Sequence, residues 1–202
     1  MGDVRALGYL AIDTTDLERW RTLAFDVLDL GDSADSTEDA LYLRLDERAY
    51  RLVIRRGETD RLTAMGWEVR DELALERVRD SLRHHGHEFR DLSLDEARAR
   101  KVDGAIALDD PTGQPLEIFH GAGLDHSPVS TRYRTEFISD ELGLGHIVVP
   151  STDHEATIAF YRDVLGFHTR GAFPFPPAPG MPPLRIQFMG VNPRHHSFAV
   201  MP

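Results

Sequence analysis

His146 interrupts the apolar run Gly145-His146-Ile147-Val148-Val149, and His196 sits in Arg194-His195-His196-Ser197-Phe198-Ala199-Val200. Both runs have the β-branched and aromatic content of strands. One histidine in a strand is more often a hydrogen-bonded core residue than a ligand. Two imidazoles that converge on the interior of one sheet are a metal site before they are packing, because neutral ring nitrogens suit transition metals. Whether these two converge is a question about the elements that carry them.

An internal repeat answers it. Leu7-Gly8-Tyr9-Leu10-Ala11-Ile12 aligns with Leu144-Gly145-His146-Ile147-Val148-Val149 at an offset of 146 − 9 = 137. The register holds without a gap through Thr15/Thr152, Asp16/Asp153 and Glu18/Glu155 to Asp26-Val27-Leu28 over Asp163-Val164-Leu165. Further on, Arg48 to Ile54 aligns with Arg194 to Val200. Tyr9 then lies opposite His146, and Tyr50 opposite His196. The pair is Tyr/Tyr in one copy and His/His in the other. A joint change at two equivalent places predicts that the two side chains are neighbours in space.

Each copy reads as a short apolar strand, a Thr-x-x-Glu capping box and a helix. In the first helix Leu17, Trp20, Ala24, Val27 and Leu28 share one face. Strands are expected over residues 40–45 and 50–54. A looser unit of the same kind follows. Its strand is Gly66 to Arg70, and its helix carries Leu75, Val78 and Leu82 and is closed by Gly86. Two more strands, Gly104 to Leu108 and Leu116 to Phe119, flank the turn Asp109-Asp110-Pro111-Thr112-Gly113. The fold class is therefore α+β, built from tandem βαβββ modules. Residues 1–122 hold two modules, polar residues 123–139 are a linker, and residues 140–202 hold a third module whose partner is absent. The Pro-rich stretch Phe173 to Pro183 is a loop, either a solvent-exposed connection or a lid beside a site.

Composition removes other classes. The chain of 202 residues is 41% hydrophobic and 28% charged, as a globular protein is. Its net charge of −11, with arginines interleaved among acids, argues against nucleic acid or an anionic membrane as partner. It has no cysteine, which excludes disulfide and thiolate chemistry and fits a cytoplasmic setting. No run approaches the ~20 apolar residues of a membrane span, and the first residues lack a signal-peptide core. There is no phosphate loop, nucleophile elbow or zinc-finger spacing. His84-His85 sits at a helix C-terminus, where the dipole favours it without a metal. His87, His120, His126, His154 and His168 have no ligand spacing, although His168 follows a helix that leads toward the site.

Three motifs together resemble the type I extradiol dioxygenases of the vicinal-oxygen-chelate superfamily, such as the 2,3-dihydroxybiphenyl dioxygenases. They are Gly143-Leu144-Gly145-His146-Ile147-Val148-Val149, Asn192-Pro193-Arg194-His195-His196-Ser197-Phe198-Ala199, and Asp110 to Phe119. The resemblance implies funnel-like mixed sheets, with a degenerate N-terminal domain and a catalytic domain beginning near residue 140. It implies Fe(II), or alternatively Mn(II), held by two His and one Glu, with O2 as co-substrate and a small catechol as substrate. His146 and His196 match the two His ligands, and the third, a Glu, is expected beyond residue 202. Glu117 holds the analogous place in the first half, where its partners would be Tyr9 and Tyr50, and is read as structural. The family's catalytic histidine falls at Gly180-Met181-Pro182-Pro183, where this chain has none, so His195 is the substitute to consider, although strand alternation turns it outward. A homo-oligomer is expected, and the chain by itself is expected to be inactive for want of the third ligand. Two other functions stay open: a glyoxalase-like metal-dependent isomerase or transferase, and a non-catalytic binding protein on the same fold.

Overall fold

The computed structural model describes residues 2–175 and 184–202. The first module runs β1 (Val4–Thr14), α1 (Leu17–Thr22), then β2 (Gly31–Asp32), β3 (Ala40–Arg44) and β4 (Leu52–Arg56). The second runs β5 (Arg61–Val69), α2 (Glu72–His84), β6 (Arg90–Asp91), a short α3 (Leu94–Ala99), β7 (Gly104–Asp109) and β8 (Pro115–His120). Their strands form one eight-stranded sheet, ordered β2-β3-β4-β1-β5-β8-β7-β6. The antiparallel pair β1–β5 joins the two modules, and each first strand pairs in parallel with its module's last. The third module, β9 (Ile147–Pro150), α4 (His154–Ala159), β10 (His168–Phe175), β11 (Leu184–Gly190) and β12 (Phe198–Met201), makes a four-stranded sheet ordered β10-β11-β12-β9. That is the order of the first module, strand for strand. Among the described residues the outer edge of β9 has no partner, and Val148 on it is half exposed.

The repeat survives in backbone detail. Each of α1 and α4 widens into a π-helical turn, at Leu23–Val27 and Phe160–Val164, and these are 137 residues apart like the sequences. Both turns exit through a left-handed residue, Asp29 at φ 53° and Gly166 at φ 75°. The helix caps differ from expectation by one residue. Asp16 and Asp153 cap these helices, accepting from Arg19 N at 2.9 Å and Ala156 N at 3.0 Å. Thr15 does not serve as cap because its hydroxyl and amide, with the Thr14 hydroxyl, are engaged by the Asp60 carboxylate. A capping box does form, at Ser93 and Glu96 on α3, an element the periodicity did not reveal.

The core crosses the expected domain division. Trp67 of β5 is fully buried and packs edge-on against Phe167 at 4.9 Å and Phe198 at 6.1 Å between ring centroids. Leu75, Val78 and Leu82 of α2 join the same cluster as Tyr161, Val164 and Val200 of the third module. The Ser81 hydroxyl donates across the seam to Val164 O at 2.8 Å. Residues 123–139 are not a free linker either. The buried Asp29 carboxylate accepts from Tyr133 N and Thr135 N, and Arg44 donates to Asp125 O and Ser127 O, so the segment is strapped to the first module. Of the Pro-rich stretch, Phe173 to Phe175 belong to β10, and the loop reading of the rest lies outside the described residues.

Candidate metal centre

His146 and His196 do not lie within strands, as their apolar settings suggested, but one residue before β9 and two before β12. Gly145 at φ 138° and the Asn192-Pro193 turn keep the chain out of the ladder until one or two residues later. The two strands are parallel neighbours with Ile147 opposite Phe198, and Ile147 N donates to Ser197 O at 3.2 Å. Two side chains at the same end of adjacent parallel strands must come together, and their ring centroids are 4.5 Å apart at 55°. The register is that of the first module, where Leu10 faces Leu52.

The two rings differ in setting. His146 is exposed, whereas His196 is half-buried and lies on Phe188 at 4.7 Å and 37°. Its pKa is lowered by partial burial first, then by the proximity of His146 and His195. It therefore favours the neutral form, whose lone pair is free. His195 is exposed, and its Nδ1 lies 3.0 Å from Nδ1 of His196. When His196 Nδ1–H is the donor of that contact, its Nε2 keeps the lone pair a metal needs.

The donor set fits a borderline transition metal. Nitrogens each about 2.0–2.2 Å from one ion stand no more than about 4 Å apart. Rings at the observed spacing can meet that by turning about χ1 and χ2. Among the described residues no group of three or more His, Cys, Asp or Glu gathers in metal-holding geometry, so the pair offers two protein donors and no carboxylate.

The equivalent place in the first half is closed by an ion pair. The Tyr9 and Tyr50 rings stand 5.5 Å apart, as the repeat implied, and Tyr9 OH donates to Glu117, the partner the family resemblance implied. Burial, then the charge of Glu117, pushes the Tyr9 phenol well above its ordinary range and keeps it a donor. The Tyr9 ring lies flat against Gly66, where any Cβ would meet it at 2.5 Å. What sequence reasoning missed is Arg100, whose Nε and Nη2 each reach the Glu117 carboxylate at 2.9 Å, while its carbonyl accepts from Tyr50 OH at 2.8 Å. The signal was chemical: a glutamate among apolar residues and phenols needs a cation. Replacing Arg100 by methionine leaves that carboxylate buried and unpaired. A loss of about 3 kcal/mol is expected, the low end for breaking a buried pair because Arg100 is a fifth exposed. Urea denaturation measures it, and adding Glu117→Gln should recover most of the loss; no recovery would mean the guanidinium acts by packing alone.

His120 pairs with Glu72 at 2.5 Å, His85 bonds Ser81 O, and His87 packs on Phe160.

The chain resembles known proteins along nearly its whole length. Residues 7–57 match the family model "Dihydroxybiphenyl dioxygenase BphC D1" and residues 143–202 match "Glyoxalase/Bleomycin resistance protein/Dioxygenase superfamily". The chain is 44% identical to an iron-dependent extradiol dioxygenase of Rhodococcus jostii, over 98% of this chain and 68% of that protein. It is 33% identical to a biphenyl-2,3-diol 1,2-dioxygenase of Metapseudomonas furukawaii, over 98% and 65%. A crystal structure of a catechol 2,3-dioxygenase superposes with a TM-score of 0.92 at 33% identity, covering 99% of this chain and 67% of that one. The chain thus spans about two thirds of the length of the relatives it matches. No described helix is long and apolar enough to cross a membrane.

Proposed function

We propose that this chain, which belongs to the extradiol dioxygenase family of the glyoxalase/bleomycin resistance/dioxygenase superfamily, carries the two-histidine part of an Fe(II) site for ring cleavage of a catechol. The observation that supports this is the His146–His196 pair at the mouth of two parallel strands, in the place where the first half holds Tyr9 and Tyr50. When bound, Fe(II) supplies adjacent open positions for a catechol and O2 and a path for electrons between them. His146 and His196 hold it, with manganese the alternative ion. The third donor of a facial triad is not among the described residues. With two neutral ligands the chain binds Fe(II) weakly and by itself does not turn over catechol.

His195 has a narrower role than the proton acceptor its sequence position suggested. Its Nδ1 faces Nδ1 of His196 rather than open space, so it orients that ring and selects the tautomer. The catechol is a small 3-substituted one, by analogy with the relatives named for biphenyl-2,3-diol and 3-methylcatechol.

The test is anaerobic addition of a 3-substituted catechol to the chain with Fe(II). An absorbance change that requires both protein and iron is expected, with no yellow ring-fission product from this chain under air. His146→Ala should abolish the absorbance change. An absorbance change that is the same in His146→Ala, or absent in wild type, would favour a non-catalytic binding protein on this fold.

A further inference from the structure

We propose that Asn192 and Arg194 are positioning residues that hold the His146 and His196 loops together before any metal arrives. The proposal rests on reading those histidines as the metal-binding pair.

Both residues look unremarkable in sequence, since Asn-Pro followed by a polar residue is an ordinary turn. Their contacts reach further than a turn needs. The Asn192 amide donates to Leu142 O at 3.2 Å and to Arg5 O at 3.1 Å, two segments far away in the chain. Its Oδ1 accepts from Arg194 N at 3.1 Å and faces the Ser197 hydroxyl at 3.4 Å, which shapes the stretch holding His195 and His196. Arg194 Nε donates to the same Leu142 O at 3.3 Å, and its guanidinium also donates to Ile138 O. One carbonyl, four residues before His146, therefore takes donors from both residues that precede the second histidine pair.

That carbonyl is itself anchored. Gly143 has φ 72°, and a Cβ on it would meet Leu7 O at 2.4 Å, so the chain passes hard against β1. Leu144 N donates to Leu7 O at 2.8 Å. Below, the buried Arg51 guanidinium joins Asp46, Gly8 O and Asp140 O. The 138–144 segment is a fixed floor, and Asn192 and Arg194 fasten the second histidine loop to it. Neither side chain touches an imidazole. They act by removing freedom from two loops that the bond from Ile147 N to Ser197 O joins beside the site. A site whose donors are already gathered does not spend metal-binding energy on ordering them.

Groups that orient metal ligands typically contribute 10- to 100-fold to affinity. Co(II) is the probe, titrated into the full chain and followed by its visible absorbance. Asn192→Ala and Asn192→Asp, the second keeping the acceptor but losing the donor to Leu142 and Arg5, should each bind Co(II) about 10- to 100-fold more weakly than wild type. Arg194→Ala should fall in the same direction. The control is Ile54→Val in β4, which lowers stability in a cluster that holds no residue of the third module and should leave Co(II) affinity unchanged. Circular dichroism checks folding throughout. Affinities for Asn192→Ala and Asn192→Asp within twofold of wild type overturn the positioning role, as does an equal loss in Ile54→Val. Co(II) binding that survives intact in the His146→Ala/His196→Ala chain instead shows that the histidine pair is not the site, and overturns both readings.

Discussion

Replacing His196 with alanine is expected to lower transition-metal affinity more than 100-fold, the largest functional effect of any single change in this chain. Outer-shell groups contribute about 10- to 100-fold, and a direct ligand contributes more. Among the described residues there are two protein donors, so the change converts a chelate into a lone imidazole. His196 should matter more than His146. It is the half-buried ring, lies on Phe188, and has one nitrogen already committed to His195. His146 is exposed and has more conformational freedom to lose on binding. Calorimetric titration of Co(II) into wild type and both alanine variants checks the order. Equal, undiminished binding in both variants would sink the assignment, and a greater loss in His146→Ala would reverse the argument from preorganisation.

Trp67→Ala is expected to cost about 3–5 kcal/mol, at the upper end for a buried aromatic, out of the 5–15 kcal/mol typical of a whole protein. Trp67 is fully buried, and its ring faces Phe167 and Phe198 of the third module. Truncation opens a cavity that neither a sheet nor a helix can relax to fill. Because one core spans both sheets, urea unfolding followed by far-UV circular dichroism should remain a single transition, shifted to lower denaturant. Trp67→Phe should cost much less, since it keeps most of the ring and removes an indole N–H that is buried without a partner. Two separated transitions in wild type would show that the shared cluster does not couple the sheets.

The module plan was legible because its signals are local. Strand alternation, helical faces and a gap-free offset of 137 depend only on neighbours along the chain, and the fold keeps that offset even in its π-helical turns. The pairing of His146 with His196, and of Tyr9 with Tyr50, followed from the repeat for the same reason. Equivalent residues of equivalent modules occupy equivalent places. The α1 cap was read one residue off, because Asp60, 45 residues from Thr15, competes for that threonine.

Sequence alone thus determined the α+β class, the modular repeat and the meeting of the two imidazoles, all of which periodicity and internal alignment carry. Tertiary structure decided what those side chains face. Arg100 reaches Glu117 because α3 ends over β8, and Asn192 reaches Leu142 because a turn in the third module lies over the start of β1. The N-terminal and C-terminal parts share a core because α2 is apolar toward both sheets. Each of these contacts joins segments with no pattern in common. Hydrogen bonds and ion pairs hold over about 3 Å, so a single-residue shift in register would break them while leaving every local signal unchanged.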